Sequence, residues 1–209
     1  MKKKSYHHKN LRAELLELTA KIIAEDGLDH VTLRELARRL GVSRTAPYRH
    51  FKDKNALLAK VAETKFQGLN IQLLTAFEDP SSGPLQQFEA LAFSYLTFAV
   101  NNYDLYRLMF SDEFKRGEIY PGLAEAADET FAILAQTVIH CQDNGLIRAD
   151  DPSRLAFVVW STLHGIADLY MEGKLVLDES AESFFHFSLR TLVQGLAVRR
   201  EGASPPLLF

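Results

Sequence analysis

Apolar residues recur at helical spacing along nearly the whole chain, and no stretch of useful length alternates as a strand would. Leu11, Leu15, Leu18 and Ile22 follow one another at four, three and four residues, which places them on one helix face. Gly27, in "DGLD", supplies a C-terminal stop. Thr32 with Glu35 reads as a capping box, each side chain taking a free backbone donor, and it opens the helix "LRELARRL" with Leu33, Leu36, Ala37 and Leu40 on its apolar side. Gly41 ends that helix. Ser43 reads as the N-cap of a short one reaching about Phe51, and Asp53 caps a long one, with Leu57, Leu58, Val61 and Phe66 facing inward. After the turn-forming "EDPSSGP" at 78–84, helical patterns cover about 85–101, 104–110, 121–144, 152–171 and 180–198. The fold class expected is all-α. It divides into a helix-turn-helix module at 1–52, a connecting helix at 53–78, a larger helical body at 79–198 and a mobile tail at 199–209.

Charge is distributed unevenly. Residues 1–60 carry 14 Lys and Arg against 7 Asp and Glu, whereas the rest carries 10 against 20. A basic end on an acidic body points to a polyanion at one end only, or to two solvated surfaces of different composition. The second short helix, in "GVSRTAPYRHF", exposes Arg44, Thr45, Tyr48, Arg49 and His50 and no acidic residue. Lys52 and Lys54 flank the start of the next helix, a natural phosphate seat. Pro47 sits inside this run. Its missing N–H would have bonded the Ser43 carbonyl, and it disfavours helical angles at Ala46. The recognition helix is therefore expected to begin late or with a distorted turn; the alternative is an apolar residue simply packing inward.

The residues from "VTLRELARRLGVSRTAPYRHFKDKNALLAKVAE" resemble the DNA-binding domain of the TetR family of transcriptional regulators. The resemblance rests on Thr32 with Leu36-Ala37, on Gly41-Val42-Ser43, on Tyr48, His50 and Phe51, and on Lys54 with Leu57-Leu58. "SYHHKNLR" is similar to the opening of one subgroup, from which it departs at Lys9, where that subgroup has Gly; His7 and His8 are thus read as native residues. The resemblance implies that Arg44 and Thr45 face base edges, with Arg able to pair with guanine in a bidentate way. It implies that Tyr48, His50 and Lys54 contact phosphates, and it opens supporting positions to Thr32, Ser43, Arg49, Lys52 and the arm Lys2–Lys4.

"WSTLHGIADL" and "DLYRLMF" resemble the WHG-type C-terminal domain of one TetR subgroup. This implies a homodimer through the last two helices, with Phe185, Ser188, Thr191, Leu192, Gly195 and Leu196 at the interface. It also implies a small hydrophobic effector in a cavity of the body, for which Tyr95, Met109, Phe110, Phe131, Trp160 and His164 are the candidates. The function implied is a ligand-responsive repressor that leaves a palindromic operator when the effector binds. The alternative is an all-helical small-molecule or lipid-binding protein without sequence-specific DNA binding.

Other classes find no support in the residues. No nucleophile–base constellation, Gly-rich phosphate loop or carboxylate–histidine cluster marks an enzyme, and no cofactor or metal is expected. The single Cys141 fits a reducing cytoplasm as a buried apolar residue. No run nears the roughly 18 apolar residues of a membrane span, and the basic start lacks an apolar signal core.

Overall fold

The computed structural model describes residues 10–114 and 120–197, so Lys2–Lys4, His7, His8, Lys9 and the tail lie outside the described residues. Eight α-helices follow in order: α1 Leu11–Asp26, α2 Leu33–Arg39, α3 Lys54–Phe77, α4 Pro84–Asn101, α5 Tyr103–Met109, α6 Pro121–Asp143, α7 Pro152–Met171 and α8 Ala181–Leu196. Short 3₁₀ turns occupy Leu28–His30, Pro47–Arg49 and Asp112–Phe114. No strand is present among the described residues; an isolated bridge joins Ile147 to Ala197. The all-α expectation holds, and no described helix is long and apolar enough to cross a membrane.

Local chemistry fixes the helix ends. Asn10 Oδ1 accepts the Ala13 N–H at 3.3 Å, and Asp53 Oδ1 accepts the Ala56 N–H at 2.8 Å. At the end of α2 the Gly41 N–H bonds the Arg38 carbonyl and the Val42 N–H bonds that of Ala37, with Gly41 at φ +68°. This is a Schellman closure, and α6 and α7 stop in the same way. Gly27 ends α1 differently: at φ 89°, ψ 164° its N–H reaches the carbonyls of both Ile22 and Ile23.

The chain forms two compact units. The first comprises residues 1–68 and 102–127, the second 69–101 and 128–209. This division differs from a cut at 52/53 and 78/79, because α5 packs on α1 and so belongs with the N-terminal residues.

In the first unit, Leu15, Ile22, Leu36, Phe51, Leu57, Leu58, Val61 and Phe66 are buried. Thr19 replaces Leu18 at the centre of the buried α1 face, and its hydroxyl donates to the Leu15 carbonyl at 2.6 Å. In the second, α4 packs on α7 and α8 and buries Phe88, Leu91, Tyr95 and Leu96 against a core that includes Leu155, Val159, Leu163, Phe185 and Leu189. Arg148 ties the α6–α7 loop to the end of α8: its N–H bonds the Leu196 carbonyl at 3.0 Å and its guanidinium reaches that of Gly195 at 3.4 Å. A cation there also suits the negative end of the helix.

Gly27 occupies a backbone region open essentially to glycine alone. A Cβ at this position would meet no atom within 4 Å, so crowding adds nothing. Gly27→Ala should therefore destabilise the protein by about 1–3 kcal/mol through backbone strain. The urea midpoint should fall with the m-value unchanged; an unmoved midpoint would refute the assignment.

Candidate nucleic-acid interface and ligand residues

The segment 41–51 is a turn followed by one short 3₁₀ turn, not a helix from Ser43 to Phe51. The Ser43 carbonyl accepts the Ala46 N–H at 3.0 Å. Pro47, four residues on, has no N–H to offer, so the bond closes three residues on and the chain winds tightly. The pattern continues with Arg49 N–H to Ala46 at 3.2 Å, and with His50 and Phe51 N–H both to Pro47 at 3.0 Å. The late start expected from the proline is present. The expected distortion at Ala46 is not, since Ala46 keeps helical angles at φ −61°, ψ −44°. Ser43 does not cap a helix; its hydroxyl pairs with that of Thr45 at 3.3 Å. Pro47 is buried, so its ring also packs inward.

Burying Pro47 turns the polar side chains outward. Ser43, Arg44, Thr45, Tyr48, Arg49, His50 and Lys52 are all exposed on this segment, Tyr48 at 55%. Phe51 anchors the far end at 4% exposure, with the Arg12 guanidinium 5.4 Å from its ring centroid. Lys54 is half-buried and donates from Nζ to the Leu28 carbonyl at 3.3 Å, so its stem is oriented before any anion arrives.

Only half of the Thr32–Glu35 capping box forms. Thr32 Oγ1 accepts the Glu35 N–H at 3.1 Å. The Glu35 carboxylate does not return to the Thr32 end; it accepts from Arg38 Nε at 2.8 Å, Arg38 Nη2 at 2.5 Å and Arg39 Nε at 2.9 Å. Two guanidiniums one turn away outcompete a single neutral amide. They hold the Glu35 carboxyl down at about 2, through hydrogen bonds from Arg38 first and Arg39 second. Arg39 also reaches Asp26 Oδ2 at 2.9 Å. The positive charge of Arg38 and Arg39 is thus largely neutralised locally.

Three of the candidate ligand residues meet in the second unit. Trp160 Nε1–H donates to the Tyr95 hydroxyl at 3.2 Å, and that hydroxyl lies 3.2 Å from His164 Nδ1. Because indole only donates, the Tyr95 oxygen accepts from Trp160. The other imidazole nitrogen, Nε2, lies 3.5 Å from Asp168 Oδ2. Asp168 was not singled out from the sequence, although its place one turn after His164 was the available signal. Burial pushes the His164 imidazole below its ordinary value, and Asp168 opposes that shift. Phe131 packs on Phe157 in the same unit, ring centroids 4.4 Å apart. Met109 and Phe110 belong to the first unit, where Phe110 meets Phe66 at 5.3 Å and Tyr106 at 5.0 Å, edge to face.

The candidate interface residues split between two sides of α8. Phe185 and Leu196 are each 3% exposed and belong to the chain's own core, although Leu196 also reaches the floor of the groove that follows. Ser188, Thr191, Leu192 and Gly195 line a groove of about 510 Å³ between α7 and α8. Sequence reasoning missed the opposite wall, which Val158, Thr162 and Ile166 form at four-residue spacing on α7. It also missed Phe187, 54% exposed on the rim.

Comparison with known proteins matches both parts of the chain. The family described as "Bacterial regulatory proteins, tetR family" matches residues 15–61, and "Tetracyclin repressor-like, C-terminal domain" matches residues 88–192. The HTH-type transcriptional regulator AcrR of Shigella flexneri is 24% identical over 179 residues, spanning 81% of this chain and 80% of its own length. The solved structure of a protein of unknown function from a Rhodococcus species is 34% identical, with a TM-score of 0.84, covering 93% of this chain and 100% of that one. PfmR, a TetR family transcriptional regulator from Thermus thermophilus, shares the fold at 19% identity and a TM-score of 0.67, over 89% of this chain and 99% of its own.

The His164 shift has a definite sign for stability. Between the folded value and the ordinary 6.5, the unfolded chain binds a proton that the folded chain resists. Stability should therefore decline as pH drops below about 6.5 and level off beneath the folded value. His164→Gln should flatten that part of the melting-temperature profile; an identical slope in the variant would contradict the argument.

Proposed function

The chain belongs to the TetR family of bacterial regulatory proteins, and from that premise we propose that it is a homodimeric, ligand-responsive repressor. Arg44 and Thr45 contact base edges in the major groove, and Arg49 supports them. Thr32, Ser43, Tyr48, His50, Lys52 and Lys54 hold phosphates. The observation that carries this reading is the run of exposed polar and basic side chains that the buried Pro47 turns outward. Base contacts choose the sequence and phosphate contacts position the protein.

One small module offers few contacts, so affinity and symmetry come from a second copy. The groove between α7 and α8, with Phe187 on its rim and the small Ser188, Thr191 and Gly195 allowing close approach, supports pairing through these helices. Two modules then meet successive major grooves about 34–36 Å apart, which makes the operator palindromic. A small hydrophobic effector acts in the second unit, where Phe131 supplies apolar surface and Tyr95, Trp160 and His164 supply polar groups that orient it. By competing for the bonds among these three, the effector favours the conformation that leaves DNA, to the extent of its preference between the two states.

Selection from a random duplex pool tests the reading. The protein should recover a palindrome, bind it with a steep salt dependence, and prefer it to unrelated duplex by about a thousandfold or more. Arg44→Ala should cost about 1–3 kcal/mol and relax preference at one position in each half-site. Recovery of no preferred sequence would favour the small-molecule or lipid-binding alternative. Phe187→Asp should shift the protein to monomer in analytical ultracentrifugation and weaken the selected duplex; a variant that stays dimeric would move the interface elsewhere.

A further inference from the structure

Arg12 stands in the first turn of α1, within the first compact unit, and α1 packs on the 47–49 turn. Its side chain is exposed, and its guanidinium lies over the Phe51 ring, 5.4 Å from the centroid. Phe51 is 4% exposed and closes the 41–51 segment. The ring is therefore a fixed platform at the edge of the surface that presents Arg44, Tyr48, Arg49 and His50. Among the described residues, no carboxylate lies within ion-pair distance of Arg12. The sequence accounts for this, because the positions three and four residues on are Leu15 and Leu16, not acids.

Helix stability does not account for a cation here. The first turn of a helix carries the positive end of its dipole, so an unpaired guanidinium is disfavoured there. Arg38 and Arg39 show the contrast, since each is held by a carboxylate on its own or a neighbouring helix. Arg12 instead shares the condition of Arg44 and Arg49, exposed and without an acidic partner. Attraction to a ring face leaves the N–H fork available to an oxyanion. The ring also restrains a long side chain, so less freedom is lost when an anion binds. Because Arg12 comes from the helix beside the reading segment, it meets the strand bordering a groove and not the base edges within.

We propose that Arg12 is a backbone-phosphate contact of this surface, held ready by Phe51, and that it sets affinity and orientation on the duplex without choosing its sequence. The identity of the ligand rests on the regulatory reading above. Arg12→Gln removes the charge and keeps a side chain of similar shape. On the palindrome selected by the wild type, the slope of log affinity against log salt should shrink by about two, one phosphate in each half-site. Affinity at about 0.1 M salt should fall roughly tenfold or more, by the same factor on unrelated duplex, so the preference between the two is unchanged. Arg12→Lys should restore most of the slope. In ethylation interference, one phosphate in each half-site that matters to the wild type should cease to matter to Arg12→Gln.

Arg12→Met still covers the Phe51 ring without charge, and it serves if Arg12→Gln does not fold. A lower melting temperature with the salt slope and the interference pattern unchanged would overturn the proposal and leave Arg12 a prop for Phe51. A changed sequence preference would overturn it in favour of a base contact. If the wild type binds duplex without selecting a sequence, the regulatory reading fails, and the slope on unrelated duplex still decides the role of Arg12. If the wild type binds no duplex, both fall.

Discussion

The apolar stripe of α3 runs through Leu57, Leu58, Val61, Phe66, Leu69 and Leu73, and each of these is at most 2% exposed. The first four lie in one compact unit and the last two in the other, so each unit draws core residues from this helix. At about 1.5–3 kcal/mol for each fully buried side chain, exposing three or four of them would match the net stability of an ordinary domain, roughly 5–15 kcal/mol. The exposed surface at 41–54 adjoins the start of α3, and the Tyr95–His164 network belongs to the unit that contains its end.

Electrostatics refine this picture. The N-terminal excess of basic residues suggests a broadly positive surface, but Glu35 and Asp26 hold Arg38 and Arg39. With its carboxyl at about 2, Glu35 remains ionised throughout the physiological range and keeps doing so. The exposed cations of the 44–52 segment are Arg44, Arg49 and Lys52. Neutralising Arg38 and Arg39 on the helix before shifts the balance of positive charge toward the 44–52 segment.

Helix boundaries were legible because their causes are local. Pro84, Pro152, Ser180 and Gly145 stand at or beside the ends they specify, and the expected limits at 85–101, 121–144, 152–171 and 180–198 fall within two residues of those observed. Four features were not legible, because each depends on which of several partners wins or on residues distant in sequence. Glu35 had a backbone amide and two arginines within reach, and spacing does not rank them. Whether Pro47 shortens a helix or winds it tighter depends on which N–H replaces its own, here that of Ala46. Helix α8 is apolar on two sides, and nothing in its own residues says that Phe185 and Leu196 turn inward while Phe187 turns out. The pairing of Tyr95 with Trp160 and His164 joins residues 65 and 69 positions apart, a relation that helical periodicity does not encode.

The burial of Pro47 has an evolutionary corollary. The 41–51 segment is shaped by backbone hydrogen bonds, by the inward proline and by Phe51. The side chains of Arg44, Tyr48 and Arg49 contribute none of these restraints. Substitutions at those three positions therefore meet little purifying pressure from folding. On the reading proposed above, changes at Arg44 and Arg49 can then alter which duplex is preferred on a scaffold that stays as stable as before.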